Sequence, residues 1–366
     1  MRSMHSRVIK LGEILKGRER MRFLGLACVG RVIASGFLIP LTLCAGAAQA
    51  QDKTYVMKVT TPTINDGPHL LAKNFAAAVE RESGGRIKGE VYPASQLGSI
   101  PRQIEGVQFG AIQAAIIPPE FFVGVDERFE VMAAPGLVTS LQHGQRLAAD
   151  PAVLKLMLGL GANKGLHGAG MFIVQPDSLV SKAPIRALAD FKGKKIRIFA
   201  SDFQSEALKR LGATPVAMTL GDVLPALQQG TIDGAIAGIT VFAAFRYQDA
   251  AKYVTEVNQP SIFLMLEVSK TWYESLPPDL QKAIDKAAAE ETVAINPAAI
   301  DLFNKARNAW TANGGELISL SSADQAKLME AISSVGEDVS KPKPALHEAY
   351  GIVAEAAKRA AQGPSQ

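Results

Sequence analysis

Asp190-Phe191-Lys192-Gly193-Lys194-Lys195-Ile196-Arg197-Ile198-Phe199 ends in a short β-strand, Lys195 to Phe199, and the run of elements after that strand decides the fold. Asp202 to Leu211 reads as a helix with Phe203, Leu208 and Leu211 facing inward. Thr214 to Met218 is a short strand, Asp222 to Gln229 a helix opened by Asp222, and Asp233 to Ile239 the next strand. Strands that alternate with helices predict a parallel α/β sheet.

An earlier series has the same rhythm. Tyr55 to Thr61 alternates and is β-prone; Asn65-Asp66-Gly67-Pro68 then turns into a helical face of Leu71, Phe75, Ala78 and Val79, ended by Gly84-Gly85. Ile87 to Tyr92 reads as a strand, Ile100 to Phe109 as a helix, and Ala111 to Ile117 as a buried strand stopped by Pro118-Pro119. A helix near Pro151 to Gly161 and a strand from Leu166 to Val174 lead into the second series. Pro278 to Asn313 reads as one long or broken helix, interrupted at Pro297 and stopped by Gly314-Gly315. Two more helices open near Ser321-Ser322 and Pro344. At 366 residues, with 48% hydrophobic and 20% charged, the chain has ordinary globular composition and length for two domains.

The net charge of +4 is unevenly spread. Residues 1–50 carry +6, and the remainder −2. After Arg31 an uncharged stretch of 17 residues, Val32 to Ala48, leads to Ala48-Gln49-Ala50: basic, apolar, small-x-small, the order of a signal peptide cleaved after Ala50. An uncleaved anchor is disfavoured because the apolar run is at the short end of what spans a ~30 Å hydrocarbon core. A lipid-attachment signal is disfavoured because Cys44 follows Leu43. Met1 and Met21 as starts give the same mature chain, Gln51 to Gln366. Both cysteines, Cys28 and Cys44, fall in the leader, so the expected mature protein has no disulfide, cysteine metal site or thiol nucleophile.

Catalytic signatures are missing. The mature chain has no Gly-x-Ser-x-Gly elbow, no phosphate-cradling glycine loop followed by Lys-Ser/Thr, and no His-x-x-x-His pair. His69, His143, His167 and His347 are scattered single residues that read as surface or packing histidines. Gly159-Leu160-Gly161 with Gly165 has the wrong spacing for a dinucleotide loop and follows a helix rather than a strand. The slightly acidic mature chain argues against nucleic acid as a partner. Arg197 remains, between two isoleucines. Either its strand has a wet face carrying Lys195 and Arg197 and a core face carrying Ile196 and Ile198, or Arg197 points into a cleft where its planar guanidinium holds a carboxylate.

The stretch Phe191 to Gly238 resembles the DctP-type substrate-binding proteins of TRAP (tripartite ATP-independent periplasmic) transporters. The resemblance rests on Lys192-Gly193-Lys194-Lys195-Ile196-Arg197-Ile198, on Leu211-Gly212-Ala213-Thr214-Pro215-Val216, and on Ala226-Leu227-Gln228-Gln229-Gly230-Thr231-Ile232-Asp233-Gly234. Ser83-Gly84-Gly85-Arg86-Ile87, Tyr92-Pro93-Ala94-Ser95-Gln96-Leu97-Gly98 and Trp272-Tyr273-Glu274-Ser275-Leu276-Pro277-Pro278 extend it over essentially the whole mature chain. It implies a two-domain α/β periplasmic substrate-binding fold, with a ligand cleft between domains joined by crossing strands and a long domain-spanning helix. After the signal peptide at 1–50, domain I is expected to be 51–174 plus 263–302 and domain II 175–262 plus 303–366. The implied protein is a non-enzymatic receptor that closes on a small organic acid and delivers it to a TRAP membrane permease. It is expected to be a monomer without a cofactor or metal. A receptor of an ABC importer or sensor kinase, or a periplasmic enzyme, are the alternatives.

The resemblance makes Arg197 the carboxylate anchor. Where many members place an asparagine that also contacts the carboxylate, this chain has Ala237; Thr240 offers a hydroxyl nearby, and Phe199 and Phe242 are expected to make the pocket apolar. Gln175 stands where some relatives use a glutamine for 2-oxo acids, or is an exposed residue before Pro176-Asp177. Their cation ligands are not evident here, since no carboxylate follows Asp233 until Asp249. Glu120, at the end of a first-domain strand, either accepts a ligand hydroxyl or amine or is a solvated loop glutamate. The loss of polarity at Ala237 favours a monocarboxylate with an apolar or aromatic body.

Overall fold

Residues 53–362 are described by a computed structural model. The expected leader, its cleavage site and both cysteines lie outside these residues. The strands are β1 (Tyr55–Thr60), β2 (Ile87–Tyr92), β3 (Ala114–Ile117), β4 (Leu166–Ser181), β5 (Lys195–Ile198), β6 (Thr214–Ala217), β7 (Gly234–Ala237), β8 (Tyr253–Ser269) and β9 (Glu316–Ser319). They form one sheet in the order β2-β1-β3-β8-β4-β7-β5-β6, with β9 paired to β8.

The alternating series produce parallel pairs, β1 with β2 and β3, and β5 with β6 and β7. The expectation of a parallel sheet is corrected at its centre, where β8 runs antiparallel to β3 and β4, and β4 antiparallel to β7. Two long strands therefore serve both halves of a mixed sheet. The sequence pattern stops β4 at Val174, before Gln175-Pro176, yet the strand continues to Ser181. It survives the proline because its pairing with β8 shifts register between Ile173 and Gln175, Gln175 and Pro176, and Pro176 and Ser178. A residue without an N–H is tolerated at such an irregularity. These shifts divide the pairing of β4 with β8 into a stretch beside β3 and a stretch beside β7.

The helices Gly67–Glu82 and Pro278–Ala294 cover one face of the first half, closing a core that includes Met57, Phe75, Leu264 and Ile284. Asn296–Ala312 continues the second of these helices. Ile295 between them keeps helical dihedrals (φ −68°, ψ −23°), and Pro297 sits in the first turn, where its missing N–H costs nothing. This continuation packs on the short helix Ile239–Ala244 and on β9 in the other half. The C-terminal helix Pro344–Ala361 packs back on Leu141–Ala148, where the His143 ring sits 2.8 Å from the Ala357 carbonyl and Arg146 donates to the Ala360 carbonyl at 2.6 Å. None of the described helices is long and apolar enough to cross a membrane.

Trp310 closes the second half. It is buried, its ring lies 6.3 Å from Phe242, and its indole N–H donates to the Glu316 carbonyl at 3.3 Å. Gly315 leaves it room, since a Cβ there would sit 2.3 Å from the indole nitrogen. Trp310→Ala should therefore cost about 3–5 kcal/mol, read as a lowered urea midpoint. A loss below 1 kcal/mol would show that the helix is not fastened by this ring.

Candidate functional site

Strand β5 alternates as expected, with Ile196 and Ile198 in one core. The wet-face alternative fails at one position: Lys195 is exposed, but Arg197 is only 1% exposed. Its Nε donates to the Met218 carbonyl and its Nη1 to the Ile236 carbonyl, both at 2.9 Å. Nη2 is buried and has no partner among the described residues. The guanidinium carbon lies 4.8 Å from the Phe199 ring centre and 5.9 Å from that of Phe121, which tilt toward each other at 5.3 Å. Two carbonyls and two aromatic faces favour the charged form. Burial pulls the guanidinium down to about 10, opposed by Tyr247 and Asp177, so it remains charged at neutral pH.

Arg197 borders a cavity with about 480 Å³ of atom-free space including its mouth. Pro62, Ile116, Pro118, Val174, Ile262 and Leu264 make most of its wall apolar. Thr61, Thr63 and Asp66 bring polar groups from the start of the chain's first α/β series. Gln175, Phe199 and Ala237 line the same space, so with Arg197 four of the residues singled out by sequence are brought together.

Gln175 is buried, not exposed, at the register shifts of β4. Its Nε2 donates to the Thr240 hydroxyl at 2.6 Å, and the Thr240 N–H donates to its Oε1 at 3.2 Å. Gly238 makes the close approach possible, because a Cβ there would lie 2.1 Å from that Nε2. The amide keeps one further N–H for other partners. Thr240 thus lies behind the wall and fixes Gln175. Phe242 is not at the cavity; it is fully buried against Tyr247, at 5.5 Å, and Trp310.

Glu120 is not solvated. The 3₁₀ turn Pro119–Phe122 sends Phe121 to the cavity and leaves Glu120 1% exposed and outside the cavity lining, with both carboxylate oxygens unpartnered among the described residues. Phe121 was missed because Pro118-Pro119 announces a stop without giving the rotation of the residues after it. Asp66 was missed because its turn already had a structural reading: it is the N-cap of Gly67–Glu82, its Oδ1 accepting from His69 N–H at 3.1 Å. His69, His143, His167 and His347 do not line the cavity. Among the described residues no group of three or more His, Cys, Asp or Glu could hold a metal ion.

Burial raises several acids. It lifts Asp66 to about 6 and Asp177 to about 7, the latter against the pull of Arg197, and it drives Glu120 and Glu267 well above the ordinary range. An acid raised in the folded state binds its proton more tightly there than in the unfolded chain. Its contribution to stability is therefore complete below about pH 4 and is lost as pH rises through 6 for Asp66 and 7 for Asp177. The urea midpoint should fall from pH 5 to pH 8, and Asp177→Asn should flatten the upper part of that fall. A midpoint that rises over this range would mean that these acids are not buried uncharged.

The comparisons with known proteins bear on the family and the fold. The family model described as bacterial extracellular solute-binding protein, family 7 (DctP) matches residues 60–341. The C4-dicarboxylate-binding periplasmic protein DctP of Rhodobacter capsulatus is 27% identical over 273 residues, 74% of this chain and 81% of that protein. Among solved structures, a TRAP periplasmic solute-binding protein from Desulfovibrio salexigens with bound orotic acid superposes with a TM-score of 0.79. It is 22% identical, over 84% of this chain and 100% of that one. The sugar acid binding protein DctPAm from Advenella mimigardefordensis, in complex with galactonate, gives a TM-score of 0.79 at 21% identity, over 84% and 99% of the two chains. These neighbours share the two-domain fold, and the match across most of the chain makes this protein a member of the DctP family of bacterial extracellular solute-binding proteins.

Proposed function

We propose that this protein is the periplasmic receptor of a TRAP transporter, capturing a small organic acid between its two lobes and delivering it to the membrane permease. The observation that carries the reading is the Nη2 of Arg197: a buried, charged donor beside a mostly apolar cavity, without a partner of its own among the described residues. A carboxylate seated there completes the guanidinium's hydrogen bonds and neutralises its charge. Family membership favours a receptor over an enzyme, and a TRAP permease over an ABC importer or sensor kinase as the destination.

The ligands named for the similar proteins, a C4-dicarboxylate, orotic acid and galactonate, have a carboxylate in common. In this chain Ala237 adds no polar contact, and Phe121, Phe199, Val174 and Leu264 present an apolar surface. Those walls suit a monocarboxylate with an apolar or aromatic body, oriented by Arg197 and Gln175. The lobe boundary is proposed at the register shifts of β4, with 51–174 plus 263–302 on one side and 175–262 plus 303–366 on the other. Closure is a population shift, because a ligand touched by both lobes binds the closed form better.

Export removes the leader after Ala50, so intact-mass measurement of the periplasmic protein should start it at Gln51; retention of Met1 or Met21 would exclude cleavage. Binding is tested by thermal unfolding of protein refolded to strip carried-over ligand, against 2-oxo acids, dicarboxylates, aromatic acids and sugar acids. A ligand at one hundred times its dissociation constant should add about 2.7 kcal/mol. Arg197→Ala should weaken carboxylate binding at least tenfold, about 1.4 kcal/mol. Unchanged affinity in the folded variant would refute the anchor.

A further inference from the structure

Successive residues on a strand point to opposite faces, and β7 uses both faces for cavities. Ala237 lines the cavity beside Arg197, whereas its neighbour Ile236 lines a second one, with about 620 Å³ of atom-free space including its mouth. The walls of this second cavity are apolar, formed by Leu179, Phe191, Leu208, Leu211, Ile236 and Ile332. Two polar residues line it, Asp177 and Gln204. Gln204 is occupied through its Oε1, which accepts from Phe199 N–H at 3.0 Å. Asp177 is 9% exposed, and its Oδ1 is buried without a partner among the described residues.

The surroundings of Asp177 are short of positive charge. Glu120, with both oxygens unpartnered among the described residues, lies close enough to Asp177 and Glu130 for each to disfavour its ionisation. Glu130 is already satisfied by the Ser201 hydroxyl at 3.2 Å, the Asp202 N–H at 2.6 Å and Lys343 at 3.4 Å. Arg197 acts on Asp177 only through its field, with no ion pair between them, and its Nε and Nη1 are engaged by carbonyls. A cation arriving from outside would meet an unpartnered carboxylate, and an apolar chain attached to it would meet the walls.

We propose that the second cavity is a binding site for a small organic ammonium ion with an apolar body, its nitrogen on Asp177 and its chain against Leu208, Leu211 and Ile332. The site is separate from the carboxylate cavity and does not depend on the transport reading. Its carboxylate selects charge, and its walls select an alkyl chain over a bare ion.

The probe is n-butylammonium chloride, titrated at pH 8 into the whole protein by calorimetry, with ammonium chloride supplying the charge alone and 1-butanol the chain alone. A ligand of this size should bind at about millimolar strength. Butylammonium is expected to bind at least tenfold more tightly than either control. Asp177→Asn, which keeps the shape and mimics the protonated acid, should lose that preference. Ala207→Leu fills the same cavity from the helix Asp202–Arg210 without touching the first one, and should abolish butylammonium binding while leaving carboxylate binding intact. Absence of butylammonium binding, equal binding of ammonium chloride or butanol, or full binding by either folded variant would overturn the proposal.

Discussion

A guanidinium held out of water, with one nitrogen unsatisfied among the described residues, is the constraint to which the rest of the structure answers. Burying a charge costs several kcal/mol unless hydrogen bonds and opposite charge offset it. Here the offset is partial. Carbonyls of Met218 and Ile236 take two donors, and the rings of Phe121 and Phe199 flank the group. Those four partners come from the end of β6, from β7, from the turn after β3 and from the end of β5. The position of Arg197 is therefore set by several elements at once, so its guanidinium has a fixed place beside the cavity. Such preorganisation favours a carboxylate over groups that cannot accept in that geometry.

The mixed sheet is what brings those elements together. β4 and β8 run through both halves, and each half contributes its own parallel strands. Where the register of β4 slips, the strand carries Gln175 to the first cavity and Asp177 to the second. Irregular pairing at this point re-aims side chains that, two residues apart, a regular strand would have pointed to one face. The close contact of Gln175 with Gly238 then locks the slipped segment onto the helix Ile239–Ala244 through Thr240.

Local patterns were legible in the sequence wherever one element met one core. Ile87 to Tyr92, the helices from Asp202 and Pro344, and the break at Pro297 follow from periodicity, caps and proline chemistry, and they stand within a few residues of their expected bounds. The motif around Arg197 pointed to the family. What the sequence did not disclose depends on distant partners. Pro176 reads as a strand stop until β8 supplies an irregular neighbour, and the 17-residue β8 has no local pattern that sets its length. Phe242 and Glu120 have side chains whose direction is decided by tertiary packing, the first by Trp310 and Tyr247, the second by the 3₁₀ turn at Pro119.

Among the described residues, unpartnered buried groups of both signs flank β7. Arg197 Nη2 and Asp177 Oδ1 are both buried, both unpartnered among the described residues, and close enough to influence each other, yet they do not form an ion pair. Direct pairing would have satisfied each and left neither cavity with a charged group. Keeping them apart on the two sides of a strand costs stability, and that cost rises with pH as Asp177 ionises. A fold selected for stability alone would join them. Their separation is the arrangement expected where each charge is held in reserve for something that arrives from solution.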